Sequence, residues 1–166
     1  MPYTDRLDYV CSMSNNFGYA LAVEKLMGIK PTERADCLRV IMAELTRVLN
    51  HIFSLGFLLN DLGSWFTPMI YALEERELIL DVFEEVSGTR MMCNYFRFGG
   101  VARDIQEGTL QKVKNLVYER LPRRIEELNK MLTYNELLRE RTIGTGVVTA
   151  EQAINNGASG PMLRGS

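Results

Sequence analysis

The chain has few of the side chains that bind metal ions. Its 166 residues include three cysteines and a single histidine, His51. Cys11, Cys37 and Cys93 lie far apart, and no CxxC pair occurs. Structural zinc takes four cysteine or histidine ligands, often in closely spaced pairs, and iron–sulfur clusters are held by several cysteines. We therefore expect this chain alone to bind neither zinc nor an iron–sulfur cluster, and its unpatterned cysteines are typical of a reducing compartment.

The chain also lacks a strong charge and a long apolar run. The formal net charge is −2, which gives no global attraction to nucleic acid or to anionic lipid. The longest apolar region, Val48–Leu62, is interrupted by two asparagines, a histidine and an aspartate. It falls short of the roughly 18 uncharged residues that a membrane-spanning helix needs. Charged residues follow Met1 almost at once, so no secretory signal is expected there.

Helical periodicity of the apolar residues covers most of the chain. The predicted helices are Tyr9–Met27, Glu33 to about Leu62, Thr67 to about Ser87, Leu110 to about Leu132, and a short helix from Thr149 to about Gly157. Gly28 and Gly88 are placed to end the first and third helices in the left-handed conformation. Pro122 predicts a kink in the fourth, and Thr149 with Gln152 fits a capping box.

Two stretches lack this periodicity. Thr89–Gly108 predicts an irregular connection around Gly99-Gly100, and Ile143–Val148 predicts a short extended piece. The second helix is apolar on most sides, which favours a position in the middle of a bundle. We predict a mainly α fold, a helical bundle with a long buried central helix, a glycine-rich irregular loop and a small extended segment near the C-terminus. Residues 1–166 are expected to form a single domain.

A polar stripe interrupts the second helix. Glu44, Arg47 and His51 follow each other at i, i+3 and i+7 and therefore share one helix face. Burial of such charges costs several kcal/mol each unless they are paired. We predict a buried polar stripe, with two interpretations left open. It is either a structural ion network that locks the bundle or a proton-handling, redox-coupled stripe.

Other polar residues also admit two interpretations. Asp61 is either a turn-forming residue before a glycine or a functional carboxylate at a helix end. Tyr9 is either a packing residue or a hydrogen-bond donor to a ligand carbonyl. Arg90, Arg97 and Arg103 surround the glycine pair, where they would bind an anion, shield an anionic metal cluster, or pair with carboxylates of the acidic third helix.

The order of several short motifs resembles a known family, and the likeness spans essentially the whole chain. These motifs are Pro2–Tyr9, Tyr19–Leu26, Arg39–Arg47, Asp61–Gly63, Glu75–Glu77, Arg90–Met91, Asn94–Arg97 with Gly99–Val101, and Ser159–Ser166. Together they resemble the quinone-site subunit of NADH:quinone oxidoreductase, respiratory complex I. That family is related to the large subunit of nickel–iron hydrogenases, whose nickel-ligating cysteine pairs have no counterpart in this sequence.

The resemblance implies roles for individual residues. Tyr9 matches a tyrosine that hydrogen-bonds one quinone carbonyl, and Asp61 matches an aspartate that orients a histidine on the other side of the headgroup. That histidine belongs to a family segment upstream of Met1. Arg6 and Arg90 are expected near a partner's iron–sulfur cluster. Met92 stands where many relatives carry a histidine linked to the pH dependence of the cluster potential, so a shallow dependence is expected here.

The resemblance also implies a place in a larger assembly. The chain matches the middle portion of a subunit in the peripheral arm, on the inner membrane facing the bacterial cytoplasm or the mitochondrial matrix. Its partners would be the small subunit that holds the terminal iron–sulfur cluster and other subunits of both arms. The implied function is reduction of quinone by electrons from NADH, coupled to proton translocation. The alternatives are a related ferredoxin-dependent membrane oxidoreductase and a split or assembly fragment without catalysis.

Overall fold

A computed structural model describes residues 1–165 of the chain, and Ser166, the last residue of the C-terminal motif, lies outside them. The prediction of a mainly α fold is confirmed. The described residues divide into two compact units, Met1–Glu126 and the residues from Glu127 onward. That residues 1–166 form a single domain within a larger hydrogenase-like fold stays a prediction.

The first unit is built on three helices and one short hairpin. Its elements are a 3-10 turn Thr4–Arg6, α1 Ser12–Met27, α2 Glu33–Asp61, α3 Thr67–Ser87, β1 Phe96–Arg97, β2 Gly100–Val101, α4 Glu107–Asn115, a π-helical turn Leu116–Arg120, and α5 Leu121–Leu128. The boundary between the two units falls within α5. The glycine stops are as predicted, because Gly28 and Gly88 end α1 and α3 with φ of 66° and 84°.

The core of this unit lies between α2 and α3. Apolar side chains of both helices are buried there, among them Leu38, Met42, Leu45, Leu49, Ile79 and Phe83. The two helices approach closely at Gly56, where an added Cβ would lie 2.7 Å from Cβ of Ala72. α2 is less enclosed than its composition predicted, because Val40, Leu55 and Leu58 are exposed on its other sides.

An irregular turn precedes Pro122, where the sequence predicted a kink. Proline has no N–H and cannot donate the helical bond to the carbonyl four residues earlier. The turn Leu116–Arg120 widens to π-helical geometry immediately before it. Widened turns of this kind are a common cause of bends in long helices.

The extended backbone lies elsewhere than predicted. β1 and β2 pair antiparallel, with Phe96 opposite Val101 and Arg97 opposite Gly100, and Gly99 takes the left-handed conformation at the turn. Residues 143–148 form turns and irregular backbone instead of a strand. At the hairpin, polar side chains of other elements hold the backbone, among them Arg39 and Glu24.

The residues from Glu127 onward form a small second unit. It contains a π-helical turn Asn129–Thr133, α6 Glu136–Thr142, α7 Ala150–Asn155 and α8 Pro161–Gly165. The predicted capping box is present, since Thr149 Oγ1 accepts from the N–H of Gln152 at 3.2 Å and Gln152 Oε1 accepts from the N–H of Thr149 at 3.0 Å. Within residues 1–165, no helix has both the length and the apolar composition needed to cross a membrane.

Candidate functional site

A set of polar contacts in the first unit joins the N-terminal part of the chain to the segment Arg90–Val101. Residues 1–11 are called the N-terminal segment. The junction is the contact that this segment and α1 make with Arg90–Val101. Three buried side chains of the N-terminal segment and α1 accept backbone N–H groups of the opposite segment. The bonds run from Asn94 to Asp5 (2.7 Å), from Phe96 to Asn16 (3.0 Å) and from Gly99 to Glu24 (2.7 Å).

A buried ion pair completes the junction. The side chains of Glu24 and Arg39 are 5% and 1% exposed, and Nη1 of Arg39 donates to Oε2 of Glu24 at 3.0 Å, with a second contact through Nη2. The same guanidinium donates to the carbonyls of Arg97 (2.7 Å) and Gly100 (2.9 and 3.1 Å). The hydrogen bonds from Arg39 hold the pKa of Glu24 below the usual range. Arg39 therefore ties α1 and α2 to both strands of the hairpin.

Tyr9 lies at one edge of this junction. Its side chain is 65% exposed, and it lines a small cavity together with Arg90 and Met91. The cavity measures about 10 Å³, which is about the space that one water molecule occupies. Ser12 donates a hydrogen bond from Oγ to the carbonyl of Met91 beside it. The structure thus brings Tyr9 against a segment that follows it by about 80 residues of sequence.

Asp61 is not part of this cavity. It is exposed at the C-terminal end of α2, whereas the α2 residues that line the cavity are Thr46 and Leu49. Twelve residues separate Leu49 from Asp61, which corresponds to about 18 Å along the helix axis. Tyr9 and Asp61 therefore mark two separate places on the unit.

Arg90 pairs with carboxylates of α3, which is one of the interpretations that the sequence left open. Its Nη1 lies 2.7 Å from Asp81 and 3.1 Å from Glu84, and its Nη2 contacts Glu77. These hydrogen bonds raise the pKa of the guanidinium. Three carboxylates thus offset its charge and fix its side chain at the edge of the Tyr9 cavity.

The remaining residues predicted near a partner's cluster lie close to the junction. Arg6 is exposed, and its Nη1 donates to the carbonyl of Pro2 at 2.6 Å. Met92 is half-buried in the segment after Arg90. Their role beside a cluster stays a prediction. In the described part of the chain, residues 1–165, no group of three or more histidine, cysteine, aspartate or glutamate side chains is arranged to hold a metal ion.

The predicted buried polar stripe is wrong. Glu44, Arg47 and His51 share a face of α2, as their spacing requires, but none of the three is buried. Glu44 and Arg47 form an ion pair of 3.0 Å with side chains 54% and 62% exposed. Helical spacing fixes which residues share a face and leaves open which face turns to the core. The buried polar residues of α2 are instead Arg39 and Thr46.

A third buried carboxyl group, after those of Asp5 and Glu24, lies on α3. Glu75 is fully buried and accepts from Nε of Arg120 at 2.9 Å and from Nε of Arg124 at 2.8 Å. Glu74 takes part as the exposed neighbour, with 2.8 Å contacts to the same two arginines. These adjacent carboxylates therefore have opposite environments, since Glu74 is exposed and Glu75 is buried. The arrangement locks α3 to the π-helical turn and α5.

The comparisons with known proteins agree with this arrangement of motifs. Residues 61–166 match the family described as "Respiratory-chain NADH dehydrogenase, 49 Kd subunit". Over all 166 residues the chain is 54% identical to the NADH-quinone oxidoreductase D-type subunit 1 of Roseiflexus sp., of which it covers 44%. It is 49% identical to the D-type subunit 2 of Herpetosiphon aurantiacus and 48% identical to the D-type subunit of Dehalococcoides mccartyi, and it covers 45% of each.

The chain thus spans less than half the length of these curated relatives, while they cover it from end to end. The family match alone extends over 106 of the 166 residues, counted from 61 to 166, well beyond half of the chain. This chain therefore belongs to the family of the 49 kDa subunit of respiratory-chain NADH dehydrogenase.

Proposed function

We propose that this chain forms part of the quinone-reduction site of a proton-translocating NADH:quinone oxidoreductase, at a surface shared with a partner that holds the terminal iron–sulfur cluster. The observation that carries the proposal is the cavity edge where Tyr9 meets Arg90 and Met91. Family membership and the names of the relatives, all D-type subunits of NADH-quinone oxidoreductase, support it. The assembly would lie peripherally on the inner membrane, with this chain in its peripheral arm.

Tyr9 is suited to act on a quinone carbonyl. Reduction of a quinone to the quinol takes up two electrons and two protons, and negative charge develops on the carbonyl oxygens as electrons arrive. A phenol O–H donates one hydrogen bond to such an oxygen and stabilises that charge. The exposed side chain of Tyr9 leaves its hydroxyl accessible to a ligand from outside the chain.

The resemblance implies that Tyr9 and Asp61 act on the quinone headgroup from two sides, Asp61 through a histidine. In that arrangement a quinone ring and a histidine ring lie between the tyrosine hydroxyl and the carboxylate. Asp61 is therefore proposed as a positioning residue that acts through a histidine outside residues 1–166.

The substitution Tyr9→Phe in the assembled complex tests this proposal. It removes one hydrogen bond to a developing charge, so quinone turnover should fall by about 10- to 100-fold. Reduction of the iron–sulfur clusters by NADH, followed by electron paramagnetic resonance, should persist, because the electron entry path is intact. Tyr3→Phe is the matched control, since Tyr3 is an exposed tyrosine of the same N-terminal segment. Equal quinone kinetics in the two variants would remove Tyr9 from the site.

A further inference from the structure

The junction contains two buried oxygen atoms for which the described residues offer no hydrogen-bond partner. One is Oδ1 of Asp5 and the other is Oδ1 of Asn94. The two residues already touch, because Oδ2 of Asp5 accepts the backbone N–H of Asn94 at 2.7 Å. Asp5 is fully buried, at 0% exposure. Buried polar atoms are almost always paired, so this local excess of acceptors calls for a donor.

A single proton on Asp5 supplies that donor. A protonated carboxyl has one O–H donor, whereas a carboxylate only accepts. With the proton on Oδ1, Asp5 would have a donor to offer to an acceptor such as Oδ1 of Asn94, while Oδ2 keeps the backbone N–H of the same residue. Such a bond would satisfy both unpaired oxygens at once, and no charge would remain in the buried site.

The charged groups around Asp5 do not remove this requirement. Arg6 on the same turn, the amino group of Met1 and Arg97 of β1 all favour the ionised form, while the thiol of Cys93 also faces the carboxyl. Among the described residues, none of these cations hydrogen-bonds to Oδ1. Burial outweighs them and raises the pKa of Asp5 above its ordinary value.

We propose that Asp5 is a proton-holding positioning residue: as a neutral acid it binds Asn94 through both carboxyl oxygens and so fixes the N-terminal segment that carries Tyr9 against Arg90–Asn94. Loss of its proton replaces the hydrogen bond to Oδ1 of Asn94 by a contact between two acceptors and leaves a buried charge. The contact between Tyr9 and the opposite segment then loosens. This inference deepens the proposed quinone site and rests on it only for the effect on turnover.

Infrared spectroscopy of the assembled complex tests the protonation state without reference to quinone. With ¹³C-labelled aspartate side chains, a protonated aspartic acid gives a carbonyl band distinct from that of the carboxylates. The native complex and the Asp8→Asn variant should show this band at neutral pH, and Asp5→Asn should lack it. Asp8 is the matched control, because it is an exposed carboxylate of the same segment that accepts the N–H groups of Val10 and Cys11 at 3.3 Å.

The positioning role is tested by the pH profile of quinone reduction. Turnover of the native complex and of Asp8→Asn should fall as pH rises through the deprotonation of Asp5, about tenfold per pH unit at the steepest part. Asp5→Asn, whose amide reproduces the donor and the acceptor without a titrating proton, should lose this alkaline decline. Asp5→Leu should raise KM for quinone, and Asp5→Asn should reverse most of that rise.

Two results would overturn the inference. Absence of a protonated aspartate band from the native complex at neutral pH would show that Asp5 is a carboxylate, paired through a water molecule or the amide of Asn94. This result requires no variant. An alkaline decline that persists in Asp5→Asn assigns the titration to another group. If the band is present but Tyr9→Phe leaves quinone turnover unchanged, the proposed quinone site fails while the protonation of Asp5 stands.

Discussion

Two glutamate–arginine pairs involve α2, and they differ in almost everything except their chemistry. Glu44 and Arg47 lie one turn apart on the helix with side chains 54% and 62% exposed. Glu24 and Arg39 come from different helices, are 5% and 1% exposed, and also hold the backbone of the hairpin. The first pair was visible in the sequence as a spacing, and the second was not. Proximity in sequence identifies pairs that form easily, whereas the pairs that organise the fold join distant elements.

The two pairs differ in how much hydration their charged groups lose on folding. An exposed pair exchanges good hydration for a weak attraction and gains about 0–1 kcal/mol. A buried pair loses hydration worth several kcal/mol per ion, and only good geometry with further hydrogen bonds offsets that loss. The guanidinium of Arg39 meets this condition through hydrogen bonds to Glu24 and to two backbone carbonyls, and the exposed carboxylate of Asp36 lies 3.8 Å from its Nη1. Removal of one partner should therefore lower the free energy of unfolding far more in the buried pair than in the exposed pair.

The substitution Arg39→Met gives the largest expected effect. It leaves Glu24 buried without its cation, so the free energy of unfolding should fall by about 3–5 kcal/mol. Denaturant unfolding followed by circular dichroism measures the change. Arg47→Met is the matched control on the same helix, with an expected loss below about 0.5 kcal/mol. Similar losses in both variants would mean that the site of Glu24 admits water and that the pairs are equivalent.

A smaller effect is expected from Glu24→Gln, and it depends on pH. The folded protein holds the pKa of Glu24 below its ordinary value of 4.5. The pair therefore stabilises the fold above about pH 4.5, and this stabilisation is lost as pH falls through the lowered pKa. At pH 7 the variant should lose about 2 kcal/mol of unfolding free energy, as for one hydrogen bond to a charged group.

Below about pH 4.5 native protein and Glu24→Gln should converge, because the native carboxyl takes up its proton. Unfolding experiments across the acid range give both curves. Glu44→Gln should retain the native slope, since Glu24 remains in place. Parallel curves for native protein and Glu24→Gln at all pH values would contradict the assignment.

The smallest effect is expected at the exposed pair. Glu44→Gln should lower the free energy of unfolding by about 0.2–0.5 kcal/mol at low salt, the usual worth of a helical i, i+3 ion pair. In about 1 M salt the loss should vanish, because the Debye length shrinks to about 3 Å. The loss at Arg39→Met should persist in the same buffer. A large loss at Glu44 that resists salt would indicate that this face of α2 is covered.

The sequence predicted those parts of the fold that depend on neighbouring residues. Gly28 and Gly88 end their helices, and Thr149 opens α7, because each acts on the backbone within four residues of itself. Pro122 likewise disturbs the turn before it. Local chemistry determines these features, so a single sequence is enough to place them.

The polar contacts of the junction depend on residues that are distant along the chain. The acceptors Asp5, Asn16 and Glu24 lie 89, 80 and 75 residues from the N–H groups that they bind. No period or spacing relates such positions. The roles of Tyr9, Asp61 and Arg6 came from resemblance to a family, and they stay predictions.

The hydrogen bonds of the junction reach main-chain atoms of the hairpin and its approach, at Asn94, Phe96, Arg97, Gly99 and Gly100. The exposed side chains of Arg97 and Phe98 take no part in these main-chain hydrogen bonds. Those two positions can change to suit a molecule that lies against them while these hydrogen bonds stay in place, at the cost of the ring contact between Phe98 and Tyr19. The path of the loop and the surface that it presents are thus determined by different groups, and the surface can change while the path stays the same.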